Sequence, residues 1–144
     1  LNDMRKAMLV GLVAGACIML LLQNVFTSMG SSPSKLNNGF GLYVGLTFKN
    51  DVAKRDFKDF FKPFAEYVEK NEHDTLAYMY MDNDKDASRA LIVERYRSPN
   101  AYHNIHKKSQ AFTDFRTLLM RMQNKGDVSV DGQSYLESTL GFFR

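Results

Sequence analysis

From Phe40 to Phe48 a large apolar side chain falls on every second position, Phe40, Leu42, Val44, Leu46 and Phe48, with Gly41, Tyr43, Gly45 and Thr47 between them. Period two predicts a strand with one face in a core. The next apolar set changes period: Phe57, Phe60, Phe61, Phe64, Tyr67 and Val68 form a helical stripe, with Asp51 or Asp56 to cap its start and an end near Asn71. Pro63 falls inside that stripe, where loss of an amide donor should kink the helix or split it in two. Leu76 to Met81 and Ala90 to Tyr96 read as two further strands, joined into a hairpin by the polar turn Asp82 to Asp86. Ser98 and Pro99 then offer a capping hydroxyl and a proline at the first helical position. Tyr102, Ile105, Phe112, Phe115, Leu119 and Met122 supply a second helical stripe, with Lys107 to Gln110 as the place where it would be interrupted. Gly126 and Gly132 frame another turn region, and Tyr135 to Leu140 has the length and composition of a last strand. The order strand, helix, strand, strand, helix, strand predicts an α+β domain of the ferredoxin-like βαββαβ kind, one antiparallel sheet with both helices on one face.

Ahead of this domain the pattern is of another sort. Ala7 to Leu22 is sixteen residues without a polar side chain, and a window ending at Phe26 reaches membrane length once Gln23 and Asn24 are placed near an interface. At ~1.5 Å rise per residue, about 20 residues span roughly 30 Å, the hydrocarbon thickness of a bilayer. A cleavable signal peptide would share the basic start (Arg5, Lys6) and the small residues that follow (Thr27, Ser28, Gly30). The reading taken is a retained single-pass helix over residues 4–26, with membrane lipid around it. Gly11 and Gly15 form a small-xxx-small pair suited to contact with another transmembrane helix, hence with other subunits of a complex. Arg5 and Lys6 outweigh Lys35, which places the folded part on the side opposite the amino terminus. Leu1 in place of an initiator Met fits removal of an organellar transit peptide and equally an artificial truncation upstream, and an organellar inner or thylakoid membrane is the expected location. Residues 27–39, rich in Ser, Gly, Asn and Pro, read as a tether of at most about 43 Å, and residues 40–144 as the domain.

Composition trims the alternatives. The 144 residues are 24% charged and 44% hydrophobic with one Cys and no Trp, which suits one ordinary domain and excludes a disordered chain, a collagen or a disulfide scaffold. The net charge of +3 suggests nucleic acid only until it is localised: from Phe40 onward there are 16 Lys and Arg against 15 Asp and Glu. That balance removes the electrostatic case for a nucleic-acid partner. Cys17 lies in the apolar run and reports no compartment. His103 and His106 stand at i, i+3, yet no neighbouring carboxylate spacing completes a metal site, so no metal is expected. His73 reads as exposed in a turn, and Tyr78 and Tyr80 as part of the sheet or its pairing surface. No phosphate loop and no nucleophile motif is present.

Glu94, Arg95, Tyr96, Arg97 and Ser98, followed by Ala101, His106, Ser109, Phe112 and Phe115, resemble the antibiotic biosynthesis monooxygenase (ABM) family of the dimeric α/β-barrel group. Members often show Glu, any residue, then Trp at the end of the third strand, followed by His, Ser and Phe at three-residue spacings; Tyr96 replaces the Trp here, and His106, Ser109 and Phe112 keep the spacing. The resemblance implies that two domains pair through their open sheet faces, as a homodimer or with a heteromeric partner. It also implies one of two chemistries, cofactor-free oxygenation of aromatics or quinols, or haem breakdown. The haem branch uses an Asn on the first strand and a His in the second helix; Val44 and Arg116 stand there, and neither can do that work. No cofactor is therefore expected. For the oxygenase branch, Tyr96 and His106 are the candidate polar groups, with Val44 and Phe112 lining the pocket. The alternating apolar residues of the first strand would instead fill that pocket, and the reading preferred on sequence leaves Tyr96 and His106 as partly exposed residues packing a helix onto the sheet. The expected function is then a membrane-anchored accessory subunit of a larger complex, respiratory or photosynthetic, built on a non-catalytic ABM-like domain. The alternative is a cofactor-independent ABM-type monooxygenase acting on a quinol or another lipophilic aromatic.

Overall fold

The computed structural model describes residues 38–138 and 140–141. The expected membrane helix over residues 4–26, with Gly11 and Gly15, and all but the last two residues of the expected tether lie outside the described residues. Among the described residues no helix is long and apolar enough to cross a membrane.

Strand β1 (Phe40–Phe48) occupies the bounds its alternation predicts and lies between β3 (Arg89–Tyr96) and β4 (Val128–Leu136), with β2 (Thr75–Asp82) outside β3. All three pairings are antiparallel. Residues directly opposite one another share a face, so the register assigns every side chain to one of two layers. Leu42 stands opposite Glu94 and Ser134, and Val44 opposite Ile92 and Gly132. Across β3, Tyr78 and Tyr80 join this same layer, opposite Glu94 and Ile92. The two tyrosines therefore belong to the sheet, the first of the two places expected for them, and face the helices, packing against Phe61 and Phe64. The other layer carries Tyr43, Met79, Met81, Val93 and Tyr135.

Helix α1 (Asp51–Asn71) begins at Asn50, whose side chain accepts from the Ala53 amide at 2.9 Å, so neither Asp51 nor Asp56 is the cap. Its buried stripe is Ala53, Phe57, Phe61, Phe64 and Val68. Pro63 does not split it: the helix runs unbroken because Pro63 and Asp59 lie on the exposed side, where water can satisfy the carbonyl that the ring deprives of a donor. Helix α2 (Gln110–Asn124) starts later than its stripe suggests. Between β3 and α2 the chain forms a π-helical turn, Ala101–Ile105, and a 3₁₀ turn, His106–Lys108, so the interruption expected at Lys107 to Gln110 begins earlier, at Ala101, and ends before Gln110.

The last strand is Val128–Leu136 and not Tyr135 to Leu140. Gly126, at φ 72°, makes the turn out of α2, whereas Gly132 lies inside the strand opposite Val44. As an edge strand, β4 is held by its nine-residue register with β1 more than by apolar side chains, which is why its polar centre reads as a turn.

Both helices cover one face of the sheet. The main core joins Leu46, Phe48, Ile92 and Val128 of the sheet to Phe57, Phe61, Phe64, Val68, Phe115 and Leu119 of the helices. Phe64 stacks on Phe115 at 4.5 Å between ring centroids and Phe57 on Phe61 at 5.6 Å. On the uncovered face Tyr43, Met79, Met81 and Tyr135 are 38% to 52% exposed.

Candidate active site

At the end of the sheet marked by the close of β3, the core changes character. Glu72 follows the last turn of α1, its amide donating to the Val68 carbonyl at 2.9 Å, and its side chain continues the buried stripe inward. His106, wholly buried, opens the 3₁₀ turn and donates from Nδ1 to Glu72 Oε2 at 2.7 Å. Thr75 donates to the same oxygen at 3.2 Å. A carboxylate only accepts, so opposite an ionised Glu72 the proton sits on Nδ1, and in the neutral imidazole Nε2 is then the accepting nitrogen. Among the described residues Nε2 and Glu72 Oε1 are buried without a hydrogen-bond partner.

The His–Ser–Phe spacing has a local cause. Ser109 caps α2 by accepting from the Phe112 amide at 3.1 Å, and its hydroxyl donates to the His106 carbonyl at 3.0 Å. One side chain thus ties the turn bearing His106 to the helix bearing Phe112. Five aromatic rings surround the imidazole: Phe112 at 5.0 Å, Tyr96 at 5.3 Å, Tyr78 at 5.5 Å, Phe64 at 5.6 Å and Tyr102, stacked, at 6.0 Å. Tyr96, also wholly buried, donates to Glu94 Oε2 at 2.6 Å. Burial pushes the Glu94 carboxyl up to about 7 against the pull of the Tyr96 hydroxyl and of His106. The hydroxyls of Tyr96 and Tyr78 are both driven upward, by burial first and by Glu94 next.

The structure thus brings Tyr96, His106 and Phe112 together, and corrects the preferred sequence reading of Tyr96 and His106 as partly exposed: the cap at Ser109 and the bond to Glu72 hold His106 inside, and the bond to Glu94 holds Tyr96 there. Val44 is not in this cage; it packs on the phenylalanine core. His103 is exposed while His106 is buried, so the two imidazoles do not share an environment, and His73 is exposed in its turn. Arg116 is half-buried, and its charge acts on Tyr102. Sequence reasoning gave no role to Glu72 and named Glu94 only as the first residue of the family-like motif. Both had a signal: Glu72 extends the stripe of Phe64 and Val68 by one turn, and Glu94 is the charged member of the covered alternation Ala90, Ile92, Glu94, Tyr96. A groove of about 640 Å³ runs between α1 and the edge strand β2, with Phe61, Val68, Thr75 and Tyr78 in its wall. Tyr78 therefore separates this groove from His106.

Neither a known family profile nor a curated protein matches the chain. Solved structures do. SnoaB, a cofactor-independent oxygenase from Streptomyces nogalater, superposes with a TM-score of 0.57 at 10% identity, over 72% of this chain and 97% of its own. A structure named antibiotic biosynthesis monooxygenase gives 0.53 at 19% identity, over 70% and 99%. A conserved protein of Methanosarcina mazei Go1 gives 0.61 at 13% identity, over 71% and 95%. The domain has the ABM fold, as its sequence resemblance implied.

Proposed function

We propose that this chain is a cofactor-independent ABM-type monooxygenase whose substrate is a quinol or another lipophilic phenol, with His106 as general base. The observation that carries the proposal is the buried imidazole held by Glu72, with a free Nε2 inside an aromatic cage. An acidic phenolic proton passes to Nε2, and the Glu72 carboxylate stabilises the imidazolium that results. The electron-rich anion then reduces oxygen without a metal or flavin: a hydroperoxide forms on a ring carbon and collapses with loss of water. For an anthrone the balance is CH₂ + O₂ → C=O + H₂O; for a quinol bearing a ring hydrogen it is quinol + O₂ → hydroxyquinone + H₂O. Tyr102 and Phe112, half-buried on the outer side of the imidazole, are the rings that must move to admit the substrate. The apolar run Ala7 to Leu22, as a membrane anchor, would keep the domain beside lipophilic quinols.

The test is oxygen uptake by the purified full chain with anthrone and with 1,4-naphthoquinol, each corrected for autoxidation. Wild type should exceed the uncatalysed rate, and His106→Ala should lose at least about 100-fold. Equal rates in the two proteins would overturn the assignment.

A second reading, an accessory subunit in which the domain only packs, is favoured by one observation: five rings already surround His106, which has no exposed surface. Mild extraction from the native membrane followed by native electrophoresis distinguishes it. Co-migration with a large complex, with no oxygen uptake, supports the subunit.

A further inference from the structure

Glu94 is a buried carboxyl that the proton transfer to His106 does not use. It projects from the covered face of β3 between Leu42 of β1 and Tyr78 of β2, with only 5% of its surface exposed. Its Oε2 accepts from the Tyr96 hydroxyl at 2.6 Å. Tyr96 and Tyr78 in turn present their rings to the imidazole at 5.3 and 5.5 Å. Two carboxyls therefore attend one histidine, Glu72 in direct contact at Nδ1 and Glu94 behind two tyrosines.

We propose that Glu94 is a positioning residue of the His106 site, one that holds Tyr96 against the imidazole and, through its own protonation, sets the charge that His106 feels. The proposal rests on the reading of His106 as the base of the site. The groups facing Glu94 are Glu72 from the end of α1, Tyr78 from β2, Tyr96 from its own strand, and His106 and Tyr102 from the turns before α2. Strand β1 places the uncharged Leu42 opposite Glu94, and α2 contributes Arg116, whose charge reaches Tyr102. The hydroxyls of Tyr78, Tyr96 and Tyr102 are all pushed above the ordinary tyrosine value, chiefly by burial, and stay neutral across the neutral range. Glu94 is thus the group on that side of the imidazole whose charge changes, and it does so near pH 7. With Glu94 neutral, one anion faces His106. With Glu94 ionised there are two, and the imidazolium is held more firmly, which favours taking a proton from the substrate and opposes giving it back.

The experiment follows the ring nitrogens of His106 by long-range ¹H–¹⁵N correlation spectra of the full chain, labelled at histidine, from pH 5 to 9. Wild type should show a step near pH 7 that Glu94→Gln lacks, while the signals of the exposed His73 and His103 should be the same in both proteins and serve as controls. Tyr96→Phe removes a donor that steadies the Glu94 anion, so it should move the step to higher pH; this variant carries the test if Glu94→Gln does not fold. Glu94→Asp, which keeps an ionisable group, should restore a step. Superimposable His106 titrations in wild type and Glu94→Gln, or an unmoved step in Tyr96→Phe, would overturn the proposal. Coupling in a chain that oxidises neither anthrone nor naphthoquinol would keep this role of Glu94 and remove the oxygenase reading. Turnover that needs His106 without the coupling would do the reverse.

Discussion

The two ends of the covered sheet face are built from opposite materials. Toward Phe48 the space between sheet and helices is filled by hydrocarbon, with Phe48, Phe57, Phe61, Phe115, Leu119 and Val128 in one cluster and no buried ionisable side chain among them. Toward Tyr96 the same two layers enclose Glu72, Glu94 and His106, all below 6% exposure. Burying such groups costs free energy that packing alone never requires, since charge leaves water and must find partners inside. The first end explains why the domain folds. The second has to be explained by what its groups can do.

The largest expected effect breaks the apolar end. Phe57 is wholly buried and meets the rings of Phe48, Phe60, Phe61, Tyr80 and Phe115. Phe57→Ala should lower unfolding stability by about 3–5 kcal/mol, read from urea denaturation.

A smaller, pH-dependent effect belongs to the polar end. In the folded protein Glu94 titrates near 7 instead of its ordinary 4.5, so the folded state binds more protons than the unfolded one between those values. Its contribution is therefore fully present below about 4.5 and is lost as pH rises through 7, with a slope approaching about 1.4 kcal/mol per pH unit. Stability of wild type minus that of Glu94→Gln, measured by urea denaturation from pH 4.5 to 8, should fall across that window and then level off. A flat difference would mean that the carboxyl does not titrate there.

Outside the covered face the effects become small for the chain itself. Met79 and Tyr135 lie on the open face, 51% and 52% exposed, and Met79→Lys with Tyr135→Lys should change folding stability by less than about 1 kcal/mol. If that face pairs with a second copy, the same double variant should abolish the dimer in sedimentation velocity; a dimer that survives it places the contact elsewhere. Smallest of all, Lys62 and Glu66 form an exposed pair at 4.0 Å, and Lys62→Ala should leave the unfolding midpoint unchanged.

How much of this was legible depends on which signal each region relied on. Strand β1 alternates cleanly and is where its pattern places it; α1 shows a stripe strong enough that Pro63, on the wet side, does not interrupt it. Strand β4 was displaced because Gly132 and the polar residues around it belong to an edge held by backbone pairing, which side-chain periodicity does not record. The site was half visible. His106, Ser109 and Phe112 kept a recognisable spacing, but spacing does not reveal burial. His106 goes inside because Glu72, 34 positions away in sequence, meets it there. Glu94 was named only within the motif, and its place as the charged residue on the covered alternation of β3 was the signal that it is buried.

The central claim is that the polar end is kept for chemistry and not for stability, and replacing the pair by hydrocarbon tests it most directly. The measurement is the thermal unfolding midpoint of the double variant Glu72→Leu with His106→Leu beside wild type. Replacing both members of a buried, hydrogen-bonded polar pair by apolar residues of similar size is often neutral or stabilising, whereas removing one partner strands the other. The account predicts a midpoint equal to or above that of wild type. A midpoint lower by several degrees would contradict it and make Glu72 and His106 part of the scaffold.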